Sequence, residues 1–149
     1  MPVLVTYLPL DSEHRPTGFD AVLSPPLTAG ADADRRIRPP GFESGDLNEA
    51  RLHLLGNQLG GSGRDERNLF WGEHVPTNTP HMSTIEAKVR AAVDGGQTVR
   101  YRGRLKYRDW DYPGPEQISL FATGSGGFML DEVIINPCGL RRDLSRTTR

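Results

Sequence analysis

One segment of this chain, Thr79 to Asp94, carries a clear helical period, and that constrains the fold more than any other feature. Apolar Met82, Ile85, Val89 and Val93 recur at spacings of three and four, so they share one helix face. Asn78 stands where an N-cap would, Pro80 falls in the first turn, and Gly95-Gly96 ends the run. The remainder reads as extended chain broken by turns, in keeping with its 17 glycines and 12 prolines. Pro2 to Leu10 and Gly18 to Ser24 form a hairpin pair. Arg51 to Leu55 and Asn68 to Trp71 are short strands separated by a turn from Gly56 to Arg67. Thr98 to Tyr107, Gln117 to Thr123 and Gly127 to Ile135 are three longer strands. One dominant helix among such strands predicts an α+β domain, with the helix packed on an antiparallel sheet.

At 149 residues the chain suits a single domain large enough for a real core. We place that domain at residues 1–139 and expect the basic tail 140–149 to fray. Pro25 to Asn48, punctuated by prolines and glycines, reads as a long loop, and loops of that length are usually functional or mobile. The net charge of −1 creates no global attraction for nucleic acid, so any phosphate contact must come from local patches. Two basic patches exist: Arg35, Arg36, Arg38, Arg51, Arg64 and Arg67 in the middle, and a run from Arg100 to Arg108. The single cysteine, Cys138, excludes an internal disulfide and a thiolate zinc cluster. No run of about 18 apolar residues is available to span a membrane. The segment after Met1 lacks the basic region and cleavage site of a secretory leader. The expectation is action in the cytoplasm of the producing or a target cell, with any delivery supplied by something outside this sequence.

Four residues carry candidate chemistry. His53 closes a short apolar run before a glycine-rich turn, where an imidazole with a pKa near 6.5 can take a proton from water. Its ordinary reading is a hydrogen-bonded histidine without a catalytic role. Asn78 offers a neutral oxygen of the kind Mg²⁺ accepts, in competition with the helix cap for the same atom. Glu86, eight residues on, lies broadly on the same side of the helix and can act there or pair with Arg90. Arg51 shares a strand face with His53, since residues two apart point the same way. It can grip a phosphate with two hydrogen bonds or make a surface ion pair.

Taken together, several stretches resemble the DNA/RNA non-specific endonuclease family, the ββα-metal or His-Me finger nucleases. They are Arg51-Leu52-His53-Leu54-Leu55-Gly56, Leu59-Gly60-Gly61-Ser62-Gly63, Arg67-Asn68-Leu69, Asn78 and Met82 with Glu86. Flanking Val5-Thr6-Tyr7-Leu8-Pro9-Leu10-Asp11, Arg15-Pro16-Thr17-Gly18, Pro39-Pro40-Gly41-Phe42 and Gly124-Ser125-Gly126-Gly127-Phe128 extend the likeness across residues 3–136. The likeness includes C-terminal nuclease domains of bacterial polymorphic toxins, which the chain resembles. It implies His53 as general base, Asn78 as ligand of Mg²⁺ (or Mn²⁺), Glu86 supporting the metal through water, and Arg51 on phosphate. Arg67 is a further substrate-binding candidate, with Asn68 and His81 in supporting positions. The implied substrate is DNA, with RNA as a second, and the implied partner is a cognate immunity protein. Leu52 stands where that family usually has glycine, and Ala50 where its motif often begins with aspartate. The alternative reading is therefore a weakened or inactive nuclease-fold module that binds nucleic acid or an immunity protein.

Overall fold

The computed structural model describes residues 3–42 and 48–140. Five strands form one antiparallel sheet: β1 (Val3–Tyr7), β2 (Gly18–Leu23), and, after a long excursion, β5 (Val99–Tyr107), β6 (Pro115–Gly124) and β7 (Met129–Ile135). They lie in the order β1-β2-β5-β6-β7. Within the excursion, β3 (Glu49–His53) and β4 (Leu69–Glu73) pair antiparallel as a separate ribbon, with His53 opposite Leu69. The principal helix α1 (Ser83–Asp94) follows, and a closing turn of helix α2 (Pro137–Leu140) ends the described chain.

Alternation along the strands decides which sheet face is covered. Phe19, Ala21 and Leu23 of β2 point inward with Val99, Tyr101 and Leu105 of β5 and Ile118, Leu120 and Ala122 of β6, and all are buried. The ββα unit packs on that face. Leu52, Leu54 and Leu55 join one core cluster with Ile85, Val89 and Val93. Arg100, Arg102, Arg104 and Lys106 alternate with the inward residues of β5 and so occupy the opposite face. There Asp20 pairs with Arg104 at 2.9 Å and with Arg102 at 3.7 Å. The second basic run thus lies across the sheet from the ββα unit.

The expected antiparallel sheet with one main helix is the observed architecture, with two corrections of detail. The strand expected over Arg51 to Leu55 runs instead from Glu49 and ends at His53. The helix begins at Ser83, not Thr79, and its N-cap position is Met82, which makes no side-chain cap bond. The cause is Pro80: the residue before a proline is pushed out of the helical region, and Thr79 sits at φ −128° and ψ 120°. His74–Met82 is consequently an irregular wide turn, extended at Val75 and Thr79. The helical period itself is right, since Met82, Ile85, Val89 and Val93 are all buried. Residues 24–42 contain no strand or helix, as expected of a long loop. Residues 43–47 and most of the basic tail expected to fray, residues 141–149, lie outside the described residues. Among the described residues no helix is long and apolar enough to cross a membrane.

Candidate active site

His53 is the last residue of β3, and Asn68 fixes the chain immediately beyond it. The Asn68 side chain is fully buried, accepts from the Leu55 N–H at 2.8 Å, and donates to the Leu55 and Ser62 carbonyls. That bracket holds the glycine-rich turn against the strand end and leaves the His53 ring at the edge of a cleft. Segment 30–42 crosses in front of it as a strap. Gly30 N–H donates to the Asn57 carbonyl and Asp34 N–H to the Gly63 carbonyl, so the strap is stitched to the turn. Gly63 is needed there, because a side chain would run into the Ala31 and Asp32 carbonyls.

The strap fixes the chemistry of the ring. His53 Nε2 lies 2.9 Å from the Ala31 carbonyl oxygen. A carbonyl can only accept, so Nε2 carries the hydrogen and Nδ1 keeps a free lone pair. Burial pushes the imidazole below its ordinary pKa, opposed by the Ala31 bond and the charge of Asp32. The neutral ring is therefore the resting form at pH 7, which is the form a base requires.

Glu86 faces His53's cleft from the first turns of α1. It falls on the buried side of the helix beside Ile85 and Val89 and is only 9% exposed. Its pairing with Arg90 does not occur: Arg90 bonds Asp94 and the Gln58 carbonyl instead. Among the described residues the one hydrogen bond to its carboxylate comes from Gln58 Nε2 at 3.3 Å, too little to offset desolvation. Burial accordingly raises its pKa to about 7. Gly56 presses close on the other side, where a Cβ would stand 2.6 Å from one carboxylate oxygen. Beneath the helix, the Tyr101 hydroxyl is buried with no hydrogen-bond partner among the described residues; burial first, and the charge of Glu86 second, push its pKa up.

Asn78 reaches the same cleft from the wide turn. Its backbone carbonyl accepts from Ser83 N–H, so the main chain completes the turn into α1. The competition between cap and ligand is thereby removed. Among the described residues its side chain has no hydrogen-bond partner, and it lines the cleft with Asp32, Arg51, His53, Gln58 and Glu86. Asn78 and Glu86 do not share a helix, yet the fold brings them together. An amide oxygen and a desolvated carboxylate suit a hard divalent cation, and a positive charge there would relieve the isolation of Glu86.

Arg51 lines the cleft with its guanidinium largely engaged: Nε donates to the Ile37 carbonyl at 2.6 Å and Nη2 to the Arg35 carbonyl at 2.8 Å. Leu52 points the other way, 3% exposed in the core, where Gly72 leaves room for its methyl group. Arg67 is not among the cleft-lining residues; it bonds Asp65 and stands 5.6 Å from the Tyr7 ring centroid. His81 is exposed beside Lys88 and Glu132 in a separate hollow. Sequence reasoning missed Ala31, Gln58 and the role of Gly56. Only Gly56 left a signal, as the glycine that closes the apolar run after His53.

A strand ribbon bearing a histidine, followed by a helix bearing a carboxylate, is the arrangement of a ββα nuclease. A model of the DNA/RNA non-specific endonuclease family matches residues 4–125, and the chain belongs to that family. Among solved structures, NucA from Streptococcus agalactiae with magnesium bound is similar at 20% identity and a TM-score of 0.78, over 91% of this chain and 73% of that one. The same protein without metal gives 21% identity and a TM-score of 0.76, covering 91% and 72%. The Sda1 nuclease with a bound zinc ion gives 17% identity and a TM-score of 0.68, covering 89% and 75%. No curated protein matches the sequence.

Proposed function

We propose that the chain is a metal-dependent, largely sequence-non-specific endonuclease acting on DNA, with RNA as a second substrate. The observation that carries this reading is the convergence of His53, Asn78 and Glu86, far apart in sequence, on one cleft in which the histidine is held as a neutral base. His53 Nδ1 takes the proton of a water aligned with the scissile phosphorus. The water oxygen bonds to phosphorus as the bond to the 3′ oxygen breaks. A divalent cation, Mg²⁺ or Mn²⁺, held by Asn78 Oδ1 and through water by Glu86, would supply charge against the phosphate and the departing oxygen. Gln58 and Gly56 keep the Glu86 carboxylate aimed at that position. Leu52, buried beside Gly72, leaves the His53 ring undisturbed and is read as compatible with activity.

Supercoiled plasmid and total RNA test the proposal directly. Cleavage is expected with Mg²⁺, none with EDTA, and His53→Ala should lose about a hundred- to ten-thousand-fold in rate. Persistent cutting in EDTA or by the His53 variant would remove this mechanism. Wild-type protein that binds nucleic acid without cutting it under any divalent ion would leave the binding module. We further place the chain as the toxin domain of a bacterial antagonism system, acting in the cytoplasm of the producing or target cell and neutralised by a cognate immunity protein. The support is its motif likeness to polymorphic-toxin nuclease domains. Cytoplasmic expression should arrest growth, and His53→Ala should relieve the arrest.

A further inference from the structure

The guanidinium of Arg51 touches the strap at three points. Nε and Nη2 donate to the Ile37 and Arg35 carbonyls, and the guanidinium carbon lies 4.4 Å from the Phe42 ring centroid. The first half of the strap has its own stitches, through Gly30 and Asp34 to the glycine-rich turn. The second half is joined to the catalytic strand through Arg51. With Nε and Nη2 both donating to backbone carbonyls, the side-on edge of the guanidinium is spent on the strap, and only the pair at its Nη1/Nη2 end is left for a phosphate. The same strap bears Ala31, whose carbonyl selects the His53 tautomer, and Arg51 and His53 project from one face of β3 toward it.

We propose that Arg51 is a positioning residue that clasps the second half of the strap across the His53 cleft and so steadies the Ala31 carbonyl, which the Gly30 and Asp34 bonds set near the ring, its side-on edge serving the fold in place of phosphate. The inference rests on the reading of His53 as the general base. The long side chain is used for reach and for its rigid fork, and its charge is secondary. Lysine cannot replace it, because one ammonium lacks the spaced, coplanar donors that meet two carbonyls and a ring face together.

Three measurements on metal-free protein test the clasp without requiring turnover. In Arg51→Ala and Arg51→Lys, amide hydrogen exchange across 31–42 should quicken at least about tenfold while α1 stays protected. The ¹⁵N spectrum of the His53 ring should change from one tautomer, hydrogen on Nε2, to a mixture. Binding of a labelled 20-base-pair duplex in EDTA should keep its dependence on salt. A phosphate contact predicts the opposite pattern: the log–log salt slope falls by about 0.9 in the alanine variant and recovers in the lysine variant, with exchange and ring spectra unchanged. That pattern would overturn the proposal. Phe42→Ala, which removes only the stacked ring, should shift exchange the same way by less, and it carries the test if Arg51→Ala fails to fold. In cleavage assays the Arg51 variants should lose kcat with little change in KM. If the wild-type protein cuts no nucleic acid, the endonuclease reading fails, while exchange and ring spectra still decide whether Arg51 is the clasp.

Discussion

Glu86 is the residue whose surroundings and charge disagree most. Its folded pKa of about 7, against an ordinary 4.5, means that the fold favours the neutral acid. The stabilisation that goes with this is present below 4.5 and is lost as pH rises through about 7. In EDTA at pH 8, Glu86→Gln should therefore be more stable than wild type by about 2–3 kcal/mol, the gap closing by pH 5, as read by thermal melting. Adding Mg²⁺ should raise the wild-type Tm and leave the variant's unchanged. His53 titrates in the other direction. Burial lowers its pKa below the ordinary 6.5, so the base stays competent in mild acid. With Mg²⁺ saturating, so that Glu86 is held ionised, the acid limb of a kcat/KM profile should have its midpoint below 6.5, and a midpoint at or above that value would contradict a buried base.

Between elements, small residues set how closely the residues proposed for the site approach. Gly56 has ordinary extended backbone, φ −60° and ψ 148°, so its role is space alone. Gly56→Ala should drive the Glu86 carboxylate from its place, abolishing the Mg²⁺-induced rise in Tm and most cleavage while far-UV circular dichroism persists. Leu52 behaves as a core residue, and Gly72 on the neighbouring strand accommodates it. Leu52→Gly is expected to cost about 3–5 kcal/mol, from the cavity and the freed backbone, without raising activity. The buried face of α1 was legible in its apolar spacing, and that His53, Asn78 and Glu86 line one cleft was an expectation of the motif resemblance, not of any one residue read alone. The start of α1 was not legible, because Pro80 acts on Thr79 by steric exclusion that a period of apolar residues does not register. Nor was the strap. Its decisive groups are the carbonyls of Ala31, Arg35 and Ile37, which every sequence has and only a tertiary fold can aim.

At the level of the whole molecule, the core and the site draw on different resources. Phe19, Leu23, Ile118 and Leu120 are buried in one cluster with apolar residues of the ββα unit, Leu54, Leu55 and Val89 among them, and that cluster does not include the polar groups that line the cleft. EDTA should accordingly stop cleavage while leaving a cooperative melting transition, and a chelator that unfolded the protein would show the metal to be structural. The strand order makes this separation concrete. β2 and β5 are neighbours, with Leu23 opposite Val99, although the entire ββα unit lies between them in sequence. The chain leaves the sheet and re-enters it at one doorway, carrying its chemistry on a closed detour. Such a detour can lengthen, shorten or diverge between relatives without disturbing a single rung of the main ladder. A lineage can thus remodel what this protein cuts while inheriting unchanged the platform on which it cuts.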